Sequence, residues 1–462
     1  MKDKQPLVPT LLIDTDTMMT KKLATRFPLS LVAAPIMLVT AFVSHANNIS
    51  FDQMQQDITY LASDELKGRA SFSPEIEIAA NYIGKRFADI GLTPMQGLQT
   101  FKQTFDVINI SPMSIDVKLN GSSITLENLA FASTMKQVKW NALSDTNIHT
   151  INATDNMREK ISQLNQQGGQ HLVLLNTAHK EMFARYQHYF QGGLNKLNLD
   201  HQGAIVIVLT DQAQANSIKV SGKTSIAKKQ LTNVVGVLPG KQKADEIILF
   251  SSHYDHLGVN EKDGKDKIFN GADDDASGTT AIINLAQYFA KQNDNSRTLM
   301  FSAFTAEEIG GFGSRYFSQQ LDPQNVKAMI NIEMIGKPSK FGQGTLWMTG
   351  KERSNLGDIL NQTLASHKKE IHADPYPEQG LFYRSDNATL ARLGVPAHSF
   401  SSTQLDKDQH YHQVSDDLAS LDLKSMHQVI ETLSLSTKSL IDGSVTPTRI
   451  DVNKVKAKGK IY

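Results

Sequence analysis

Leu299-Met-Phe-Ser-Ala-Phe304 runs directly into Thr305-Ala-Glu307-Glu308-Ile-Gly310-Gly311, an apolar stretch of strand length that ends on two carboxylates and two glycines. The same pattern recurs on either side of it. Ile247-Ile-Leu-Phe250 leads to His253-Tyr254-Asp255, and Ala328-Met-Ile-Asn-Ile332 leads to Glu333. Val234–Leu238 and Val395–Phe400 read as further strands, while three- and four-residue periodicity predicts helices over 279–291, 314–320, 354–367 and 423–441. Strands alternating with helices predict a βαβ layered, mostly parallel mixed sheet. In such sheets ligands gather at the carboxyl ends of strands, so His253, Glu307, Glu308 and Glu333 are expected along one edge.

A further acidic cluster, Asn270-Gly-Ala-Asp273-Asp274-Asp275-Ala-Ser-Gly278, precedes the 279–291 helix. An Asp triplet there is ordinarily a helix cap, and a Glu pair is ordinarily solvated surface. Small residues packed around both groups favour a different reading, in which the backbone approaches closely while the acids point inward. Carboxylates crowded in this way repel one another unless a cation holds them.

Composition narrows the chemistry. The chain has 462 residues, enough for two or three folding units. Lys plus Arg and Asp plus Glu both total 47, so no global field draws nucleic acid or an anionic membrane. Cysteine is absent, which rules out thiolate nucleophiles and leaves any metal to His and carboxylates, with Zn²⁺ the leading candidate.

The amino terminus reads as an export signal. Lys21, Lys22 and Arg26 precede an apolar run from Leu29 to Val43 that ends in Ser44-His45-Ala46, with cleavage expected after Ala46. The run is shorter than the roughly 18–20 residues that span a bilayer and contains Pro35, so no stable membrane span is expected once the signal is removed. The mature chain is then periplasmic or secreted. Residues 47–110 read as a helical lead-in, 111–230 as an inserted β-rich module with one helix near Met182–Phe190, 231–443 as the chemical domain and 444–462 as a tail.

Taken with Ser385-Asp386 and Asp408-Gln-His-Tyr-His-Gln-Val-Ser-Asp416, these motifs resemble the two-zinc aminopeptidase family, which also includes glutamate carboxypeptidase. The resemblance implies a three-layer αβα zinc-exopeptidase fold. It also implies two Zn²⁺ per chain and peptide substrates with a free amino terminus. His253, Asp274 and Glu333 resemble the ligands of one zinc, Asp274 the bridging carboxylate, and Glu308 and His412 the ligands of the other. Glu307 is similar to the family's general base, Asp255 to the acid that orients the first histidine, and Tyr411 to the donor for the oxyanion. A cis peptide after Asp274 is implied as well.

Glu333 departs from the pattern, since aspartate is usual there, and Asn387 stands where many relatives carry histidine. The loop holding Asn387 is expected to touch substrate. The resemblance assigns no zinc to His256, His398 or His410, and a hydrogen-bonded structural role is expected for each. Phe382-Tyr383 is expected to pack rather than line a pocket. The insert resembles protease-associated domains and is expected to form a lid or a wall of the cleft. The competing readings are a carboxypeptidase, with Arg384 and Arg392 as the only nearby cations for a substrate carboxylate, a one-zinc glutaminyl cyclase, and a receptor-like domain without metals. Oligomeric state is not legible in the sequence.

Overall fold

The computed structural model describes residues 48–260, 265–456 and 459–462. The expected signal segment and part of the Lys262–Lys267 loop lie outside them. No helix among the described residues is long and apolar enough to cross a membrane.

Local chemistry sets the leading helices. Ser50 caps Phe51–Leu61 by accepting from the Gln53 N–H, and Ser73 caps Pro74–Ile90, whose first position holds a proline and whose end is a left-handed Gly91. Pro74–Ile90 lies on the sheet, whereas Phe51–Leu61 packs on Gly278–Gln292. Asp57, fully buried on the first helix, accepts hydrogen bonds from Tyr82, Arg86 and Asn284 and so ties both helices to Gly278–Gln292. Removing one partner of a buried charge of this kind costs about 3–5 kcal/mol.

The main sheet is mixed, as its sequence pattern predicts. From one edge its order is Ile371–Ala373, Leu346–Met348, Ala397–Ser401, Val326–Ile332, Lys243–His253, Arg297–Phe304, Ile218–Leu238 and Lys102–Leu119. The run from Ala397–Ser401 to Arg297–Phe304 is parallel. Alternate residues of these strands serve opposite cores. Ile248, Phe250, Leu299 and Phe301 pack with Ile283, Phe87 and Val429, while Leu249, Met300 and Phe304 pack with Phe317 and Leu390. Helices therefore cover both faces, which makes the three-layer αβα arrangement. Register brings the functional ends level, because His253 pairs with Phe304 and Ser251 with Asn331.

The insert differs from expectation in three ways. It contains a second helix, Met157–Gln167, beside Lys180–Gln191, on a four-stranded sheet ordered Leu129–Ser133, Gly203–Leu209, Gly169–Leu175, Asn147–Ile151. It is thus an α/β module with two helices rather than a β-rich one with a single helix; the second helix buries only three apolar side chains, Met157, Ile161 and Leu164, too few to mark its period. Nor does a break fall at 110/111 or 230/231. Lys102–Leu119 and Ile218–Leu238 pair continuously from the main sheet into the insert. The carboxyl-terminal residues are not a loose tail: Ile450 is buried in a core of the main sheet and Ile461 in the insert core. A continuous ribbon and this returning segment of chain tie the insert to the main sheet.

Candidate metal centre

Each acid of the Asp273–Asp275 triplet has its own role. Asp275 accepts backbone N–H groups from Gly278 and Met334 at 3.0 and 3.1 Å. Asp273 accepts from Gly336 at 2.7 Å and from the Thr403 hydroxyl at 2.5 Å. Asp416 in turn accepts the N–H groups of Asp273 and Asp274, and so fixes the turn from across the site. Only Asp274 is left to face inward, and the bond between it and Asp275 is cis, as the resemblance implied.

Asp274 addresses two histidines at once. Oδ1 lies 3.2 Å from His253 Nε2, and Oδ2 lies 3.2 Å from His412 Nε2. His253 Nε2 is also 3.3 Å from Glu333 Oε1, which completes one set of donors. The other His253 nitrogen, Nδ1, meets the carbonyl of Asp255 at 3.1 Å, with the Asp255 carboxylate at 3.8 Å. An Nδ1–H donated to that carbonyl leaves Nε2 as a lone pair facing the carboxylates. The Asp255 carboxylate does something else: Oδ1 accepts the backbone N–H of Glu307 at 3.0 Å and Oδ2 accepts Ser71 Oγ at 3.0 Å. It positions the loop of the glutamate pair, and burial pushes it up to about 6.

The second set gathers around Glu308, whose Oε2 is 3.3 Å from His412 Nε2. His256 joins it, contrary to the role expected for it. Its Nδ1 lies 2.8 Å from Glu308 Oε1 and 3.9 Å from Asp274 Oδ2, yet neither ring nitrogen makes a hydrogen bond among the described residues. The ring is 2 % exposed. Gly271, at φ 57°, makes room for it, because a Cβ there would stand 2.5 Å from His256 Cγ. His398 and His410 do have the expected structural partners, Thr349 and Ser415.

Glu307 rises from the same loop, where Ala306 and Gly311 have left-handed φ of 58° and 66°. Desolvation holds its carboxyl well above the usual range, with the charges of Glu333, Asp386 and Glu308 adding to it. Glu333 Oε2 accepts from Ser385 Oγ. Asn387 is fully buried and bonded to Phe382 and Ser399, while Arg384 and Ser385 of the same loop line the pocket beside Glu333. Tyr411 stacks on His412 at 4.0 Å between ring centroids, and its hydroxyl accepts from Arg384 at 3.1 Å. Beside Glu333 and Tyr411 opens a pocket walled by Met334, Trp347, Leu381 and Leu405. Phe382 instead packs in the core, and Arg392 is turned away to the Lys456 carbonyl.

The donors suit a pair of borderline cations. Three carboxylates, Asp274, Glu308 and Glu333, and three imidazoles converge, two of the imidazole nitrogens and one carboxylate oxygen have no hydrogen-bond partner among the described residues, and one carboxylate reaches both sets. Without positive charge such a cluster would be strongly self-repelling.

Residues 233–437 match the model of Peptidase family M28. Leucine aminopeptidase 1 of Penicillium rubens is 29 % identical over 214 residues, covering 42 % of this chain and 52 % of that protein. A probable zinc metalloprotease of Pyrenophora tritici-repentis is 37 % identical over 117 residues, 25 % of this chain and 26 % of that one. The chain thus spans between a quarter and about half of these relatives. Among solved structures, an aminopeptidase from Aneurinibacillus sp. strain AM-1 superposes with a TM-score of 0.54 at 18 % identity, over 89 % of this chain and 97 % of that one. A zinc aminopeptidase from Bacillus subtilis gives 0.53 at 13 %, over 88 % and 99 %. At these identities the likeness is one of fold.

Proposed function

Because residues 233–437 match the model of Peptidase family M28, we propose that the chain is a metallo-aminopeptidase that removes the amino-terminal residue of peptides with two Zn²⁺. One observation carries the reading: the two oxygens of Asp274 each lie 3.2 Å from a different histidine, the arrangement of a bridging carboxylate. His253 and Glu333 complete one position, and Glu308 and His412, with His256 as an added donor, complete the other. Bound there, paired Zn²⁺ lower the pKa of water and polarise the scissile carbonyl.

The chain's own groups do the rest. Glu307 takes the proton of the attacking water and delivers it to the departing amine nitrogen. Its backbone is held by Asp255, so the carboxylate is aimed before substrate arrives. Tyr411 donates to the oxyanion as charge develops; Arg384 occupies the phenol's lone pair and leaves its hydrogen free to point at substrate. The pocket of Met334, Trp347, Leu381 and Leu405 takes an apolar first side chain. Residues 1–46 direct the chain out of the cytoplasm.

A panel of aminoacyl anilides and amino-blocked peptides, with zinc content measured on the purified protein, tests the reading. Release of anilide by a zinc-loaded enzyme that ignores blocked peptides is expected. Cleavage of blocked peptides alone would point to a carboxypeptidase, and a metal-free inert protein to a binding domain.

A further inference from the structure

Two cavities flank the cluster, and they differ in charge. Glu333 lines the apolar pocket already described, whereas Glu308, at the other set of donors, lines a cavity of about 560 Å³ between the insert and the catalytic domain. Its walls carry Asn195 and Lys196 from the insert, Arg315 from the helix after the glutamate loop, and Tyr462 from the returning chain. A peptide with its first side chain in the apolar pocket and its scissile carbonyl over the cluster would extend its departing portion toward this second cavity.

The cations there lack anions. Lys196 Nζ donates only to the backbone carbonyl of Lys460 at 3.1 Å, and the Arg315 guanidinium lies 5.1 Å over the Phe312 ring; among the described residues neither has a carboxylate partner. Burial, with repulsion from Arg315, pushes Lys196 down to about 8, and burial with Arg392 lowers Arg315. Two half-buried cations that repel each other persist at a cost, and an anion between them would relieve it.

Resting on the aminopeptidase reading, we infer that Lys196 and Arg315 form a carboxylate-binding subsite for the departing side of the substrate, so that the enzyme prefers peptides presenting a carboxylate there. That carboxylate is either the free terminus of a short peptide or an acidic side chain. A lysine and a planar guanidinium match a carboxylate better than either does alone, and charge-assisted bonds of this kind are worth about 10- to 100-fold in selectivity. The insert would thus select substrate by charge as well as by shape.

The test compares kcat/KM for leucyl-leucine, leucyl-leucinamide, leucyl-glutamyl amide and leucyl-glutaminyl amide, in the wild type and in Lys196→Gln, Arg315→Gln and the double variant. In the wild type the acid is expected to exceed its amide, or the glutamyl its glutaminyl analogue, by about 10- to 100-fold. The first preference identifies a free terminus as the source and the second a side chain. In the double variant, checked for zinc content and thermal midpoint, the ratio should fall toward one. Equal rates on all four peptides by a wild type that cleaves leucyl anilide would overturn the subsite and leave the aminopeptidase reading intact. A ratio unchanged in the folded double variant would also overturn it. A wild type inert to anilide and peptides alike removes both.

Discussion

Nδ1 of His256 lies 2.8 Å from Oε1 of Glu308 without the alignment of a hydrogen bond, and neither atom has another polar partner among the described residues. A buried imidazole in this position either wastes its desolvation or serves a cation. His256→Ala is therefore expected to weaken binding of the second zinc by about 10- to 100-fold. Competition with a chromogenic chelator reads this directly, and an affinity equal to wild type would return His256 to a packing role.

Glu307→Gln keeps the shape of the side chain and removes its basicity. The variant should retain both metals and lose about 10²- to 10⁴-fold in kcat, the range of general-base catalysis. Turnover within a few fold of wild type, at full zinc content, would remove Glu307 from the mechanism.

Metal removal should be felt in stability, because the converging carboxylates are left to repel. A ligand bound a thousandfold above its Kd contributes about 4 kcal/mol. Chelation should lower the thermal midpoint by several degrees, and added Zn²⁺ should restore it. A midpoint indifferent to chelator would mean that the cluster holds no metal.

His398 gives a pH dependence remote from the cluster. Burial lowers it from 6.5 to about 4, while Nδ1–H donates to the Thr349 carbonyl at 2.8 Å and Nε2 accepts from Ser354 at 2.8 Å. The unfolded chain binds a proton below pH 6.5 that the folded chain refuses until about pH 4. Stability from this residue is therefore complete above pH 6.5 and declines toward pH 4, by about 2 kcal/mol at pH 5. Denaturant titration of His398→Gln against wild type should show a shallower acid slope in the variant; parallel slopes would contradict the assignment.

What the sequence revealed follows from how each residue reaches the site. His253, Glu307, Glu308 and Glu333 were legible because each follows an apolar strand, and strand order carries such ends to one edge. Asp274 could be singled out from its neighbours only by resemblance, since the ties to Asp416, Gly336 and Met334 come from distant loops. His256 was given a structural role for a related reason: its place beside Glu308 depends on the space left by Gly271 and on a residue fifty-odd positions away. The helix Met157–Gln167 was missed because its apolar positions are sparse. Lys196 and Arg315 meet only across the cavity between insert and catalytic domain.

The returning chain has a bearing on when the protein can fold. The backbone N–H of Ile461 bonds to Asn165, 296 residues earlier, and its side chain fills a gap in the core formed by Ile161, Phe190 and Ile207. That core stays open until residue 461 has left the ribosome, whatever the upstream segments have done. Contacts of such long sequence separation form slowly, because loop closure precedes any gain from them. The insert, although encoded early, is completed late.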